Sequence, residues 1–237
     1  MRTRTTIPVL LLIVVSVTCR DASLSPDHRA GIMDGAWNSI YGYDGFFRRL
    51  PRDVTDSSGK PIASWRFVVA DRDGLRAPYD KTIPWNAEGN RGARSVPYPV
   101  FRFGPYSEET SALYTDVLAI CGRGTAFDET SPRRLAALPN DLLLLIECRG
   151  TGIHWMEPGD VDIDRRENIP TTGIDGCGFM IAFADGAIWH VRSDVPQHTL
   201  RLFCTVHGAE THDRNIELAP FAKEFVAPKL PIANDGP

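Results

Sequence analysis

The sequence predicts an α+β fold in which an N-terminal helix packs on an antiparallel sheet and a C-terminal helix completes the domain. Three observations support this class: an apolar hairpin around Asp185-Gly186, an amphipathic pattern that begins after Ser25, and a second helical pattern after Val195. A chain of 237 residues with 43% hydrophobic content can bury a core within one domain. We therefore expect a domain over residues 25–213, an N-terminal segment over 1–24 and a loose tail over 214–237.

The hairpin lies within residues 179–191, where two apolar runs are separated only by Asp185-Gly186. An Asp-Gly pair favours a two-residue type I′ turn, so we assign both residues a structural role. This register places Phe183 opposite Ile188. Because both faces are apolar, the hairpin is expected inside a larger sheet with a layer packed on it.

The remaining elements follow from caps, apolar runs and turn residues. Ser25 has the side chain of an N-cap and Pro26 suits the first helical position, which predicts a helix to about Tyr41. A second helix is predicted from Pro196 to His207, with Gly208 ending it. Residues 78–99 are rich in turn formers and predict an ordered loop. Strands are predicted over residues 64–70, 100–103, 112–121 and 142–147.

The N-terminus has the pattern of an export signal. Arg2 and Arg4 precede an apolar run over residues 7–17, which has the length of a signal-peptide core and is too short to span a bilayer. Cys19 follows this run directly, so lipid attachment stands beside ordinary cleavage and an uncleaved anchor as an alternative. The prediction is an exported protein in the periplasm, attached to the membrane through its N-terminus, or on the cell surface.

Charge and cysteine content limit the classes of partner and of covalent chemistry. The net charge of -4, without a basic stripe, predicts no binding to nucleic acid. In an exported protein four cysteines have two interpretations, which are two disulfides of unknown pairing or buried core residues. These cysteines are Cys121, Cys148, Cys177 and Cys204.

The sequence contains no HExxH motif and no GxSxG motif, and it predicts no enzyme and no cofactor. Its most suggestive polar group lies in the segment EPGDVDID. Alternating carboxylates suit calcium, although Arg165 stands where an EF-hand counted from Asp160 needs glycine. Arg165 and Arg166 supply counter-charge, which favours a solvated acidic loop over a calcium site. A hydrolase of envelope polymers would have Glu147, Glu157 and Asp160 as its carboxylates. The calcium hypothesis names Glu157, Asp160, Asp162 and Asp164.

The order of several segments resembles that of the planctomycete pilin-like proteins of domain of unknown function 1559. The segment GKPIASWR at residues 59–66 is similar to that family's GKPLLSWR segment. The segments that follow in the family's order are PWN at 84–86, GRGTAF at 122–127, the strand at 142–147, WMEPGD at 155–160 and FADG at 183–186. The resemblance covers residues 32–213.

The resemblance implies a pilin or pseudopilin-like fold outside the cytoplasmic membrane, without known catalytic activity and with envelope or pilus-like proteins as partners. The chain departs from the family in two places. Pro8 interrupts a short apolar run that lacks the glutamate of a prepilin signal, and Asp175-Gly176-Cys177-Gly178 stands where the family has His-Pro-Gly-Gly. We therefore expect an exported, non-catalytic structural or interaction domain, with a calcium-stabilised envelope module as the alternative.

Overall fold

The computed structural model describes residues 24–75, 77–103, 113–171, 173 and 178–229. Within them, most strands lie in the middle of the chain, with helices before and after them. Their bounds are α1 Pro26–Phe47, β1 Val54–Thr55, β2 Pro61–Ala63, α2 Trp65–Arg72, α3 Arg91–Arg94, β3 Val117–Cys121, β4 Leu143–Glu147, β5 Val161–Asp162, β6 Gly178–Phe183, β7 Ile188–Arg192, α4 Gln197–Leu202, α5 Val206–Thr211, α6 Arg214–Glu217 and β8 Ala222–Val226.

The main sheet has six strands in the order β5-β3-β4-β6-β7-β8. Its pairs are antiparallel except for β3 and β5, which run parallel. The predicted α+β class is therefore confirmed, whereas the expectation of a wholly antiparallel sheet is wrong at the β5 edge. Strands β1 and β2 form a separate two-stranded ribbon.

Helix α1 begins where the sequence predicts. The side chain of Ser25 accepts a hydrogen bond from the backbone N–H of His28 at 3.2 Å, and Pro26 occupies the first turn. The helix continues past its predicted end to Phe47. Met33, Trp37 and Ile40 form the buried stripe that packs on the sheet.

The sheet is covered on both faces, as the apolar hairpin predicts. One face packs against α1, and the other carries the side chains of Phe179, Ile181 and Phe183 together with Leu200 and Phe203 from the α4 region. The fold therefore has three layers, with the sheet between α1 and the C-terminal helices.

The hairpin register differs by one residue from the predicted one. The N–H of Phe183 bonds to the carbonyl of Ala187 at 3.0 Å, and Ala182 lies opposite Ile188. The loop therefore contains Ala184 in addition to Asp185 and Gly186, with Gly186 at a φ of 87°. A three-residue loop that ends on a left-handed glycine is the next most common hairpin after the two-residue type. The extra loop residue moves each β7 side chain to the other face of the sheet from the predicted one. Trp189 and Val191 therefore lie on the same face as Phe179.

Three predicted elements are corrected. The predicted strand over residues 64–70 is helix α2, because Ser64 caps it by accepting from the N–H of Phe67. The predicted strand over 100–103 is instead a 3-10 turn over Pro99–Phe101. The strand predicted over 112–121 begins at Val117, and residue 112 lies outside the described residues.

The C-terminal region also differs from its prediction. The predicted helix is divided into two short helices: α4 ends at Leu202 with Phe203 as its C-cap, and Thr205 caps the start of α5, so that Gly208 lies inside a helix. The tail predicted to be loose contains α6 and β8, and β8 pairs with β7. Lys229 then donates to Asp34 at 2.5 Å and Asn38 at 2.7 Å, which fastens this segment to α1.

Candidate functional site

A cleft of about 520 Å³ opens where the start of α2 meets the segment before β5. Apolar side chains form one part of its lining, and charged side chains of both signs form the other part. The apolar lining consists of Pro51, Pro61, Trp65, Phe127 and Pro158, and the charged lining consists of Arg52, Asp53, Glu129, Asp160, Asp162, Arg165 and Arg166. A volume in this range is typical of a site for a small ligand.

The start of α2 is held against the segment over residues 154–160 by the N-cap residue. Ser64 uses its hydroxyl to donate to the carbonyl of Trp155 at 2.7 Å, and its N–H bonds to the carbonyl of Met156 at 2.9 Å. The same oxygen caps the helix. One small polar residue therefore fixes both the direction of α2 and its distance from the second wall.

Arg66 completes this attachment from inside the protein. Its guanidinium donates to Asp160 at 2.8 Å and to the carbonyls of Trp155, Glu157 and Gly159. Asp160 also accepts from the indole of Trp65 at 3.0 Å and from the N–H of Ala119 at 2.7 Å. Burial raises the pKa of Asp160, although Arg66 opposes that shift. This carboxylate is thus a structural tie between α2, β3 and the cleft wall.

Asp53 is a second carboxylate of the cleft whose pKa is raised. It accepts the backbone N–H of Trp65 at 2.7 Å. Burial, with a smaller contribution from the nearby charge of Asp160, raises the pKa of Asp53 to about 7. A carboxyl group that titrates near neutral pH inside a cleft is a mark of functional sites, although structural networks produce it too.

The four carboxylates of the calcium hypothesis are occupied by different protein groups. Glu157 accepts from the N–H of His154, Asp162 pairs with Arg165 at 3.1 Å, and Asp164 accepts from the N–H of Arg123 at 2.7 Å. Asp160 is bound to Arg66. Within the described ranges no group of three or more histidine, cysteine or acidic side chains is arranged to hold a metal ion.

The cysteines that the structure describes are free thiols. Cys148 and Cys204 are buried in the core, and Cys121 borders the cleft. Burial raises the pKa of each of the three thiols to about 12. Cys177, the fourth residue of the disulfide hypothesis, lies outside the described residues, as do the segment 1–23 and the candidate lipidation site Cys19.

Asp185 and Gly186 lie in the hairpin turn. Asp185 forms a buried, two-pronged ion pair with Arg214 of α6 at 3.0 Å and 2.5 Å. The guanidinium also lies 4.5 Å from the ring centre of Phe183. Arg214 could not be singled out from the sequence, because it lies in a segment without an apolar pattern.

A second buried ion pair joins α1 to the sheet. Arg29 donates to Glu147 of β4 at 2.5 Å, and the two side chains are 1% and 0% exposed. Glu147, one carboxylate of the hydrolase hypothesis, is therefore sealed in the core. Each arginine had a signal that could have been used: Arg29 lies four residues before Met33 on the buried stripe of α1, and Arg66 lies between the buried aromatic residues Trp65 and Phe67.

Three of the segments named in the resemblance to the pilin-like proteins contribute residues to the cleft, namely 59–66, 122–127 and 155–160. Residues 64–66 bind the segment 155–160, and the ring of Phe127 from the GRGTAF segment lies 5.6 Å from that of Trp65. Trp85 stacks on His154 at 4.6 Å. Comparison of the chain with protein-family models, curated proteins and solved structures found no match. No helix in the described ranges is long and apolar enough to cross a membrane.

Proposed function

We propose that the chain is an exported, non-catalytic pilin-like domain that serves as a structural or interaction module of the cell envelope. The observation that carries this proposal is the position of α1. This helix begins nine residues after the apolar run over 7–17 ends, counted from Val17 to Pro26, and packs along one face of the sheet. An N-terminal attachment would therefore be connected directly to the core.

The ion pair between Arg29 and Glu147 supports the same proposal. It lies in the first turn of α1 and fastens the helix to β4 in the middle of the sheet. A load applied at the N-terminus would reach the central strands through this turn. A buried ion pair is costly to form, so a mechanical or positioning role gives a reason for its presence.

An export-dependent reporter enzyme fused after residue 24 tests the proposal. We expect the reporter to be active in cells, because residues 1–24 carry the signal. In the control, Leu11→Arg places a positive charge inside the apolar run, which blocks recognition of a signal core. An inactive reporter with the natural segment would contradict the proposal.

A further inference from the structure

The Asp53 carboxylate has no ion-pair partner in the part of the chain that the structure describes. Its one hydrogen bond there comes from the N–H of Trp65 and reaches Oδ1 at 2.7 Å. The second oxygen, Oδ2, receives no hydrogen bond from the described residues. Oδ2 is not among the fully buried polar atoms that lack a partner, so it is open to the cleft and can accept a hydrogen bond from a bound group.

The cations near Asp53 are committed elsewhere or lie on the rim. Arg66 donates four hydrogen bonds, to Asp160 and three carbonyls, Arg165 pairs with Asp162, and Arg52 donates to the carbonyl of Asp128 at 2.9 Å. Arg166 and Glu129 lie on the rim with opposite charges. On the far side of Asp53, Lys81 pairs with Asp71 at 2.7 Å, with Arg49 nearby.

We propose that the cleft binds a primary ammonium group carried on an apolar stem, with the ammonium on the Asp53 carboxylate and the stem against Phe127 and the cleft prolines. We infer an ammonium group because only one oxygen of Asp53, Oδ2, is open to a ligand. A guanidinium binds best through both carboxylate oxygens, and Oδ1 is already occupied by Trp65. A compact ammonium needs only Oδ2 and can lie near an aromatic ring.

The apolar stem follows from the walls. Phe127 and the prolines at 51, 61 and 158 offer no hydrogen-bond donors from their side chains, so they suit methylene groups. Two sources carry this chemistry, namely a lysine side chain of a peptide and a small free alkylamine. This inference goes beyond the proposed function, since it holds whether or not the protein is exported.

The backbone amide of Trp65 is a direct reporter of the Asp53 charge, because the two groups are hydrogen-bonded. In the full-length protein its nitrogen and proton shifts are followed by NMR against pH, with and without n-butylammonium. We expect bound n-butylammonium to move the midpoint of this titration to lower pH. The affinity should be about tenfold higher at pH 8 than at pH 6, since a cation prefers the ionised carboxylate. The neutral isostere 1-butanol should show no such dependence.

Asp53→Asn should abolish n-butylammonium binding while its amide oxygen continues to accept from Trp65. The matched control is Glu88→Gln, which removes the same charge from an exposed residue outside the cleft and should leave binding unchanged. If Asp53→Asn does not fold, the pH dependence of the natural chain decides alone. Equal binding by Asp53→Asn, or an affinity independent of pH, would overturn the proposal, and so would absence of binding.

Tighter binding of Nα-acetyl-lysine methylamide than of n-butylammonium would assign a peptide side chain, and the reverse order would assign a free amine.

Discussion

Gly186 meets two constraints at once. Its φ of 87° lies in the left-handed region, and a Cβ atom there would lie 3.1 Å from the Trp37 ring of α1. The turn is therefore both a loop end and a contact between the hairpin and the helix. This combination explains why glycine is needed here beyond the requirement of the turn itself.

Gly186→Val should lower the free energy of unfolding by roughly 2 kcal/mol or more, because a β-branched residue resists positive φ. Gly186→Asn is the control, since asparagine tolerates this region but still adds a Cβ against Trp37. Chemical denaturation of both variants separates the backbone effect from the contact. A valine variant as stable as the natural chain would show that the turn is not strained in this way.

Asp53 imposes a cost on folding at neutral pH. Its folded pKa of about 7 lies above the unfolded value, so the folded state binds more protons than the unfolded state between about pH 4 and pH 7. Its contribution to stability is therefore fully present at low pH and is lost as the pH rises through 7. The charges that face it are Asp160, Arg66 and Glu129.

Asp53→Asn should stabilise the protein at pH 8 by about 1 to 3 kcal/mol, because the neutral amide avoids the buried charge. Below about pH 4 the difference from the natural chain should vanish. Urea denaturation at both pH values measures it. A variant less stable at pH 8 would mean that the carboxylate is favourably paired in the folded protein.

At the scale of elements, buried ion pairs join helices to the sheet. Arg29 of α1 binds Glu147 of β4, Arg66 of α2 binds Asp160 beside β5, and Arg214 of α6 binds the hairpin turn. Each pair joins residues far apart in sequence. These ion pairs therefore fix the position of each helix on the sheet, because apolar contacts alone would allow a helix to shift along it.

Breaking the pair between α1 and β4 tests this role. Glu147→Gln should destabilise the protein by about 3 to 5 kcal/mol, because it removes the negative charge that Arg29 binds inside the core. The double variant Arg29→Met with Glu147→Gln should lose less than the sum of the two single variants. Additive losses in thermal or chemical denaturation would show that the two side chains are not coupled.

The sequence located the elements that have strong local signals, and it failed for the hairpin register and for several short elements. Ser25-Pro26 located the start of α1, and the leucine run located β4, because caps and continuous apolar runs are local signals. The hairpin register depended on whether Ala184 belongs to the loop, which the Asp-Gly pair does not decide. Helix α2 was mistaken for a strand because it is buried on more than one side, and a short buried helix has no visible period.

The cleft could not be predicted, for a different reason. Asp53, Trp65 and Asp160 come from three separate segments, and their meeting depends on tertiary packing. Asp160 was identified from its acidic neighbours, but as a calcium ligand. Its bonds to Arg66 and Trp65 give it a structural role that no local pattern shows.

For the whole molecule, the contacts of the carboxylates in residues 157–164 predict that calcium does not change the stability of the folded protein. Each of Glu157, Asp160, Asp162 and Asp164 already has a protein partner, so binding calcium would require breaking those contacts. Millimolar calcium should leave the melting temperature unchanged, with magnesium as the control cation. A rise specific to calcium would restore the calcium-stabilised module, because a ligand that binds the folded state raises its stability.

The location of the protein tests its proposed envelope role most directly. The full-length chain should be followed in the cells that make it by separating cytoplasm, membranes and the extracytoplasmic fraction. A chain with Leu11→Arg serves as the control that cannot be exported. We predict that the natural chain lies in the envelope or extracytoplasmic fraction and that the control is retained inside. Recovery of the natural chain as a soluble cytoplasmic protein would contradict its role as an envelope domain.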